Sequence, residues 1–302
     1  MKLTEIHLKN IRCFESLTLP LKGLTVLLGD NGTGKTTVFD AIRFALLTYR
    51  DAPGGHASFV LRAGADEGLV RLTFDDAIVL ECKALRSGTR SWSAHQDDGS
   101  DLTQEQQEAL RRSAEYETPD ASIRRLASAP KELVLSMLQL GICDVEDFWF
   151  VNEVFCLNIH GHTRTDIELS AGERAYVENV ALMFDERAHT LVGFDDADAF
   201  IAPGLQPRIA SIFEQISERW PVLISTHGRR LLDAIEFQRE EHADLVNAVL
   251  LEHWHGAVRA RWLDRDSLRG WCANRGPTPG YDGLGAVIEA GYSSRVFFRP
   301  EP

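Results

Sequence analysis

Eight consecutive residues, Gly29-Asp30-Asn31-Gly32-Thr33-Gly34-Lys35-Thr36, fit the spacing G-x-x-x-x-G-K-[ST] without a mismatch. Each residue type has a chemical use at its place. The glycines let backbone N–H groups converge on phosphate oxygens, and a helix opening near Lys35 would aim its positive dipole end at the same anion. Lys35 would reach the β and γ phosphates, and the Thr36 hydroxyl would be a magnesium ligand. Such a site also needs an acid, and Leu191-Val192-Gly193-Phe194-Asp195-Asp196 supplies two where an apolar run ends. Asp195 is the candidate metal ligand, and Asp196 is placed to orient an attacking water as general base. Taken alone, two acids after a short strand more often make a turn or a helix cap; with the phosphate loop upstream the metal reading prevails.

Two further stretches bear on the same chemistry. Leu169-Ser170-Ala171-Gly172-Glu173-Arg174 opens a helix, with Ser170 as N-cap and Glu173 as its capping-box partner. The box would by itself justify these residues, yet a helix N-terminus carrying Ser170 and Gly172 is also an anion site, able to cover a γ-phosphate presented by another subunit. In Ile224-Ser225-Thr226-His227-Gly228 a histidine stands just beyond a buried strand, in order after the two aspartates.

The elements that position these residues follow from hydrophobic periodicity. Leu24-Thr25-Val26-Leu27-Leu28 is a short continuous apolar run of the kind a buried parallel strand shows, and helical spacing of Val38, Phe39, Ile42, Leu46 and Tyr49 follows the loop. Before them Thr4–Leu8 and Leu17–Pro20 alternate as strands, and Leu69–Phe74 with Ile78–Cys82 reads as a hairpin about Asp75-Asp76. Polar loop is expected to about Asp101, then helices over Gln104–Tyr116 and Ser122–Leu140 parted by Thr118-Pro119-Asp120. After Val145 strands return, then a helix from Ala171, the run Thr190–Phe194, a helix over Gln206–Arg219 and the strand Val222–Ser225. This alternation predicts an α/β fold with a mainly parallel sheet, an antiparallel β part and a small helical insert. One domain over 1–270, with the insert at about 101–145, and an irregular Gly/Pro-rich tail over 271–302 are expected.

Composition excludes several classes. A chain of 302 residues, 44% apolar and 25% charged, is globular and long enough to need no disulfides or structural metal. Cys13, Cys82, Cys143, Cys156 and Cys272 form no C-x-x-C pair, and with no leader and no apolar run of about 20 residues a reducing cytoplasm is the expected home, away from membranes. The net charge of −13 repels polyanions, so DNA contact would have to be local or supplied by a partner. Arg259, Arg261, Arg265, Arg269 and Arg275 are interspersed with Asp264 and Asp266 and read as a solvated face. Asp233, Glu236, Glu240, Glu241 and Asp244 read as one face of a charged helix, not a nuclease centre. His160-Gly161-His162 and His253-Trp254-His255 read as solvent-facing strand residues, for want of a third ligand.

As a set in this order, five stretches resemble the ABC-type ATPases of the RecF/SMC/OLD group, the compact kind of AAA-family ATP-binding protein. They are Leu8-Lys9-Asn10-Ile11-Arg12-Cys13-Phe14, the loop Gly29–Thr36, Leu169–Arg174, Asp195-Asp196 with Ala197-Asp198-Ala199, and Ser225-Thr226-His227. The resemblance implies a P-loop NTPase fold of ABC-ATPase head type that binds ATP and Mg2+ and hydrolyses ATP; the absence of a sustained heptad repeat argues against long coiled-coil arms, and the short Asp196 side chain points to slow turnover. It further implies that Gly29 to Thr37 bind phosphates and magnesium, and that Arg12 lies near the nucleotide. Ser170 and Gly172 would contact the nucleotide of an opposing subunit, Asp198 would lie between subunits, and His227 would sense the γ-phosphate. A homodimer follows, in DNA repair or defence against foreign DNA with a separate effector; a nucleotide-gated clamp with little hydrolysis is the alternative. The group usually has Glu at the position of Asp196, and its glutamine magnesium ligand has no match at Gln96 or Gln139.

Overall fold

A computed structural model describes residues 1–51, 60–113, 123–185, 189–199, 201–227, 229–235, 246–254 and 257–263. The expected tail over 271–302 and the acids Glu236, Glu240, Glu241 and Asp244 lie outside the described residues.

The chain opens with β1 (Leu3–Ile11), β2 (Phe14–Pro20) and β3 (Leu24–Gly29), then α1 (Lys35–Asp51), then β4 (Glu67–Phe74), β5 (Ile78–Leu85) and β6 (Arg90–Gln96). All but β3 and α1 join one antiparallel sheet in the order β2-β1-β4-β5-β6. The hairpin about Asp75-Asp76 forms as expected, with Thr73 opposite Val79. The stretch expected to be polar loop instead holds β6, paired with β5 from Ile78 opposite Gln96 to Ala84 opposite Arg90. As an edge strand with no fully buried residue and with Ser91, Trp92 and Ser93 exposed, it needs few apolar side chains, so its pattern carries no strand signal.

Next come α2 (Gln104–Ser113), a 3₁₀ turn (Arg125–Ala127), α3 (Lys131–Gly141), and a three-stranded antiparallel sheet of β7 (Val145–Val151), β8 (Val154–Ile159) and β9 (His162–Thr165). The helix expected over 122–140 is broken because Pro130 stands between the turn and α3 at φ −59°, ψ 111°, and its ring and missing N–H bar a continuous helix. The remaining elements are α4 (Ala171–Met183), β10 (Val192–Phe194), α5 (Gln206–Ser217), β11 (Val222–Ser225), α6 (Arg229–Ala234), β12 (Val246–Trp254) and β13 (Ala257–Leu263).

A second sheet runs β10-β11-β3-β12-β13, with the first four strands parallel and β13 antiparallel. Its register explains the unbroken apolar runs. Val222, Leu24 and Val246 align, as do Ile224, Val26 and Ala248, and these face one core; Leu223, Leu27 and Val249 face another. Both faces of each strand are therefore withdrawn from water, at about 1.5–3 kcal/mol for each large aliphatic side chain buried. One core holds α1 and the antiparallel sheet, the other α3, α4, α5 and the β7–β9 sheet. The insert is divided between them: Leu102 and Leu110 pack in the first core, Ile123, Leu126, Val134 and Leu138 in the second. Arg259 and Arg261 are exposed on β13, where Arg261 Nε lies 3.6 Å from Glu252.

Candidate functional site

The phosphate loop lies between the central strand β3 and α1, so its start is anchored by sheet pairing and its end by a helix. Leu251 of β12 stands opposite Gly29 in register, and a Cβ at Gly29 would sit 2.4 Å from Leu251 O and 2.5 Å from Thr33 Oγ1. Gly34 has φ +92°, and a Cβ there would meet Cys13 Sγ at 2.4 Å and the Phe14 ring at 2.7 Å. Only glycine satisfies both demands, which fixes the loop against β12 on one side and the β1–β2 turn on the other. Thr33 Oγ1 donates to Asp30 O at 2.8 Å, closing the loop on itself. Buried Lys35 donates through Nζ to Gly29 O at 2.9 Å and Asp30 O at 3.1 Å.

Two neighbouring strand ends bring the acids to this loop. Asp195 follows β10 and Ser225 ends β11, and these strands are paired in parallel. The Ser225 hydroxyl donates to Asp195 Oδ1 at 2.5 Å and accepts from the Asp196 amide at 2.8 Å. Thr36 also hydrogen-bonds the Asp195 carboxylate. Burial pushes the Asp195 carboxyl above the usual carboxylate range, against the hydrogen bonds from Ser225 and Thr36, which pull it down. Asp196 has φ +51°, a left-handed conformation that Asp accepts better than most residues. Burial raises its carboxyl too, followed by the charge of Asp198, with Lys35 opposing. His227 Nε2 lies 3.7 Å from Asp196 Oδ1, and Thr226 Oγ1 donates to Asp198 in a short hydrogen bond.

Arg12, Cys13, Asn31, Gly32, Gly34, Lys35, Thr36, Thr37, Asp196 and His227 line one cleft of about 250 Å3. Most of the residues expected from sequence thus meet there, Gly29, Asp30 and Thr33 forming the body of the loop behind it. Arg12, at φ +43° in the β1–β2 turn, donates to Asp40 Oδ2 at 2.6 Å. Ser170 and Gly172 do not line the cleft. Ser170 is the exposed N-cap of α4 and forms the full capping box, accepting from Glu173 N at 3.3 Å while Glu173 Oε2 accepts from Ser170 N at 2.8 Å. Gln96 and Gln139 stand outside it, hydrogen-bonded to Gln106 and to Val145 O.

Sequence reasoning missed Ser225 as the bond between the acids and Cys13 as a wall of the cleft. A signal for each was present: Ser225 precedes Thr226-His227, and Cys13 adjoins Arg12. Among the described residues no cluster of three or more His, Cys, Asp or Glu could hold a metal ion, and the side chains of His160 and His162 are exposed. His160, at φ +53°, and Gly161, at +72°, instead make the β8–β9 turn.

The donor set fits a magnesium–nucleotide pair. A hydroxyl and a carboxylate already joined, Thr36 and Asp195, are hard oxygen ligands that would leave other positions to phosphate and water. The glycine-walled loop leaves room for backbone N–H groups to approach phosphate.

Several known proteins are similar to this chain in part of their sequence or in fold. Residues 5–154 match the family described as AAA domain. A DNA replication and repair protein RecF of Anaeromyxobacter sp. (strain K) is 38% identical over 76 residues, 25% of this chain and 20% of that protein. An OLD nuclease of Thermus scotoductus is 48% identical over 44 residues, 15% of this chain and 8% of the other. The chromosome partition protein Smc of Methanocaldococcus jannaschii is 39% identical over 69 residues, 22% and 5%. The matches thus span a fifth or less of these curated relatives. An Smc head bound to the C-winged helix domain of ScpA superposes with a TM-score of 0.68 at 14% identity, covering 88% of this chain and 99% of that one. The SMC head domain from Thermotoga maritima gives 0.57 at 16%, covering 87% and 100%. At such identities the likeness is one of fold.

Fold and loop together define a P-loop head of the α/β class. The ordered motifs, the matched AAA domain and the relatives together support an ABC-type P-loop ATPase of the RecF/SMC/OLD group.

Proposed function

We propose that this chain binds ATP with magnesium in the cleft, hydrolyses it slowly, and pairs with a second copy when it does so. The observation that carries the reading is the convergence of Lys35, Thr36, Asp195 and Asp196 about one glycine-walled loop. Loop amides and the N-terminus of α1 would hold the phosphates, and Lys35 would exchange its bonds to Gly29 O and Asp30 O for phosphate oxygens. Thr36 and Asp195 would hold the magnesium ion, which when bound draws charge from the phosphate oxygens. Asp196 would orient the attacking water and take its proton, a task suited to a carboxyl raised by burial. His227, on the same side of the cleft, would hydrogen-bond the γ-phosphate.

Residues 1–270 would form this head, with the insert at about 101–145 inside it. Ser170 and Gly172 open an exposed helix end outside the cleft, so each could reach a nucleotide only on another chain. Two chains would then close over two nucleotides, the α4 end of one facing the phosphate loop of the other. By analogy with relatives named for DNA replication and repair, chromosome partition and nuclease activity, the role would lie in DNA maintenance or defence, with a separate effector.

A second reading, a nucleotide-gated clamp with little turnover, is favoured by Asp196 itself. A carboxylate one methylene shorter than Glu sets the water back by about an ångström, enough to slow hydrolysis. The test of pairing is the mass in solution of an Asp196→Asn chain with ATP and magnesium. A dimer that dissolves when ATP is withdrawn supports the proposal, and a monomer under all conditions overturns it.

A further inference from the structure

Helix α4, which begins at the Ser170 cap, is held by the helical insert at its middle and just beyond its C-terminal end. At its middle, fully buried Tyr176 donates its hydroxyl to Met137 O of α3 at 2.9 Å. Its ring lies on Gly141 at the end of the same helix, so closely that a Cβ added there would come within 2.2 Å of a ring carbon. Just beyond the C-terminal end of α4, the fully buried Asp185 carboxylate is ion-paired with Arg125 of the 3₁₀ turn and lies 2.7 Å from His189 Nε2. Arg219, after α5, completes this end by donating to Met183 O at 2.8 Å and Asp185 O at 3.0 Å while lying 4.2 Å over the Trp220 ring. The last carbonyls of α4 are thus capped by a guanidinium.

None of these contacts touches the cleft, and the proposed chemistry uses none of them. A helix packed along its buried residues from Ala175 onward is held in one discrete position, and Tyr176 lies within two turns of Ser170. We infer that Tyr176 and Arg125 are positioning residues: through them the insert sets the attitude in which the Ser170–Gly172 end of α4 meets the nucleotide of a second copy. The inference rests on the two-chain reading above. It makes the insert the place from which assembly of the composite site is governed, at a distance from the phosphate loop.

The experiment compares the full-length parent chain with Tyr176→Phe, which removes only the hydroxyl bond, and with Arg125→Lys, which keeps the charge and loses the guanidinium fork. Three quantities are read: amide exchange at Glu173 and Arg174, binding of a fluorescent ATP analogue with magnesium, and ATP-dependent dimerisation with turnover. Both variants should exchange those two amides about fivefold faster and lose at least fivefold in dimerisation and turnover, with analogue binding within twofold of the parent. Unchanged exchange at the two amides overturns the inference. So does an equal rise in exchange across β4 and β5, which would mean general destabilisation, and so does analogue binding that falls in step with turnover. Failure of the two-chain reading is recognised separately, by a monomeric Asp196→Asn chain carrying neither substitution, and it removes the inference as well.

Discussion

The Ser225 hydroxyl donates to Asp195 Oδ1 at 2.5 Å, and the same oxygen accepts from the amide of the next residue, Asp196. One side chain at the end of β11 therefore sets both acids at the end of β10. A buried carboxylate without such a donor is driven toward its neutral form, which binds a cation poorly. Ser225→Ala should lower stability by about 1–3 kcal/mol and turnover by at least tenfold, read by denaturant unfolding and phosphate release. Turnover equal to the parent's would show that the serine does not hold the acids.

The loop itself should tolerate no added methyl at Gly34. With φ at +92° and Cys13 Sγ 2.4 Å from the position of a Cβ, Gly34→Ala must shift the loop or the β1–β2 turn. A loss of about 2–4 kcal/mol in unfolding free energy is expected, with nucleotide binding reduced at least tenfold. Gly32→Ala, which meets nothing within 4 Å, should cost only the strain of φ +80°, about 1 kcal/mol.

Asp196 adopts φ +51°, which Asn tolerates as well as Asp does. Asp196→Asn should therefore keep the fold and bind ATP while losing turnover by at least a hundredfold. Asp196→Glu should lose about 0.5–1 kcal/mol to backbone strain and yet hydrolyse ATP faster than the parent, because the carboxylate reaches further into the cleft. Steady-state phosphate release on the three chains, beside their thermal unfolding, checks the set. A slower Glu variant would mean that the shorter side chain is matched to its water.

Cys13 offers a reporter of occupancy. It lines the cleft half-buried, while Cys143 is exposed and Cys82 is buried with its thiol pushed up to about 12. Alkylation followed by peptide mass spectrometry should modify Cys143 first, Cys13 more slowly, and Cys82 only on unfolding. ATP with magnesium should slow Cys13 at least tenfold. Burial raises the Cys13 thiol above its ordinary value, so its reaction should keep gaining speed as pH rises beyond the usual thiol range. Equal labelling with and without nucleotide would place ATP elsewhere.

Local signals account for what could be read in the residues. The loop Gly29 to Thr36, the apolar strand before it and the helix after it lie within one short stretch, and the order of Ser170, Asp195 and His227 completes a pattern. The remainder depends on non-local pairing. β6 is an edge strand whose Ser91, Trp92 and Ser93 are exposed, so no apolar alternation marks it. β12 lies beside β3 in the sheet although more than 200 residues separate them, and only this pairing brings Leu251 against Gly29. The same holds for Ser225, whose use appears only once β10 and β11 are parallel neighbours. Pro130 was legible and marks the break that parts the 3₁₀ turn from α3.

The most direct test of the account is ATP turnover by the purified chain, with and without duplex DNA, beside Lys35→Ala. Lys35 is buried, with its ammonium on the loop carbonyls at the mouth of α1. The account predicts slow, magnesium-dependent phosphate release by the parent and loss of both release and nucleotide binding in Lys35→Ala. Tight binding with negligible release would favour the clamp reading. Release that persists unchanged in Lys35→Ala, or a parent that binds no ATP, would contradict the central claim.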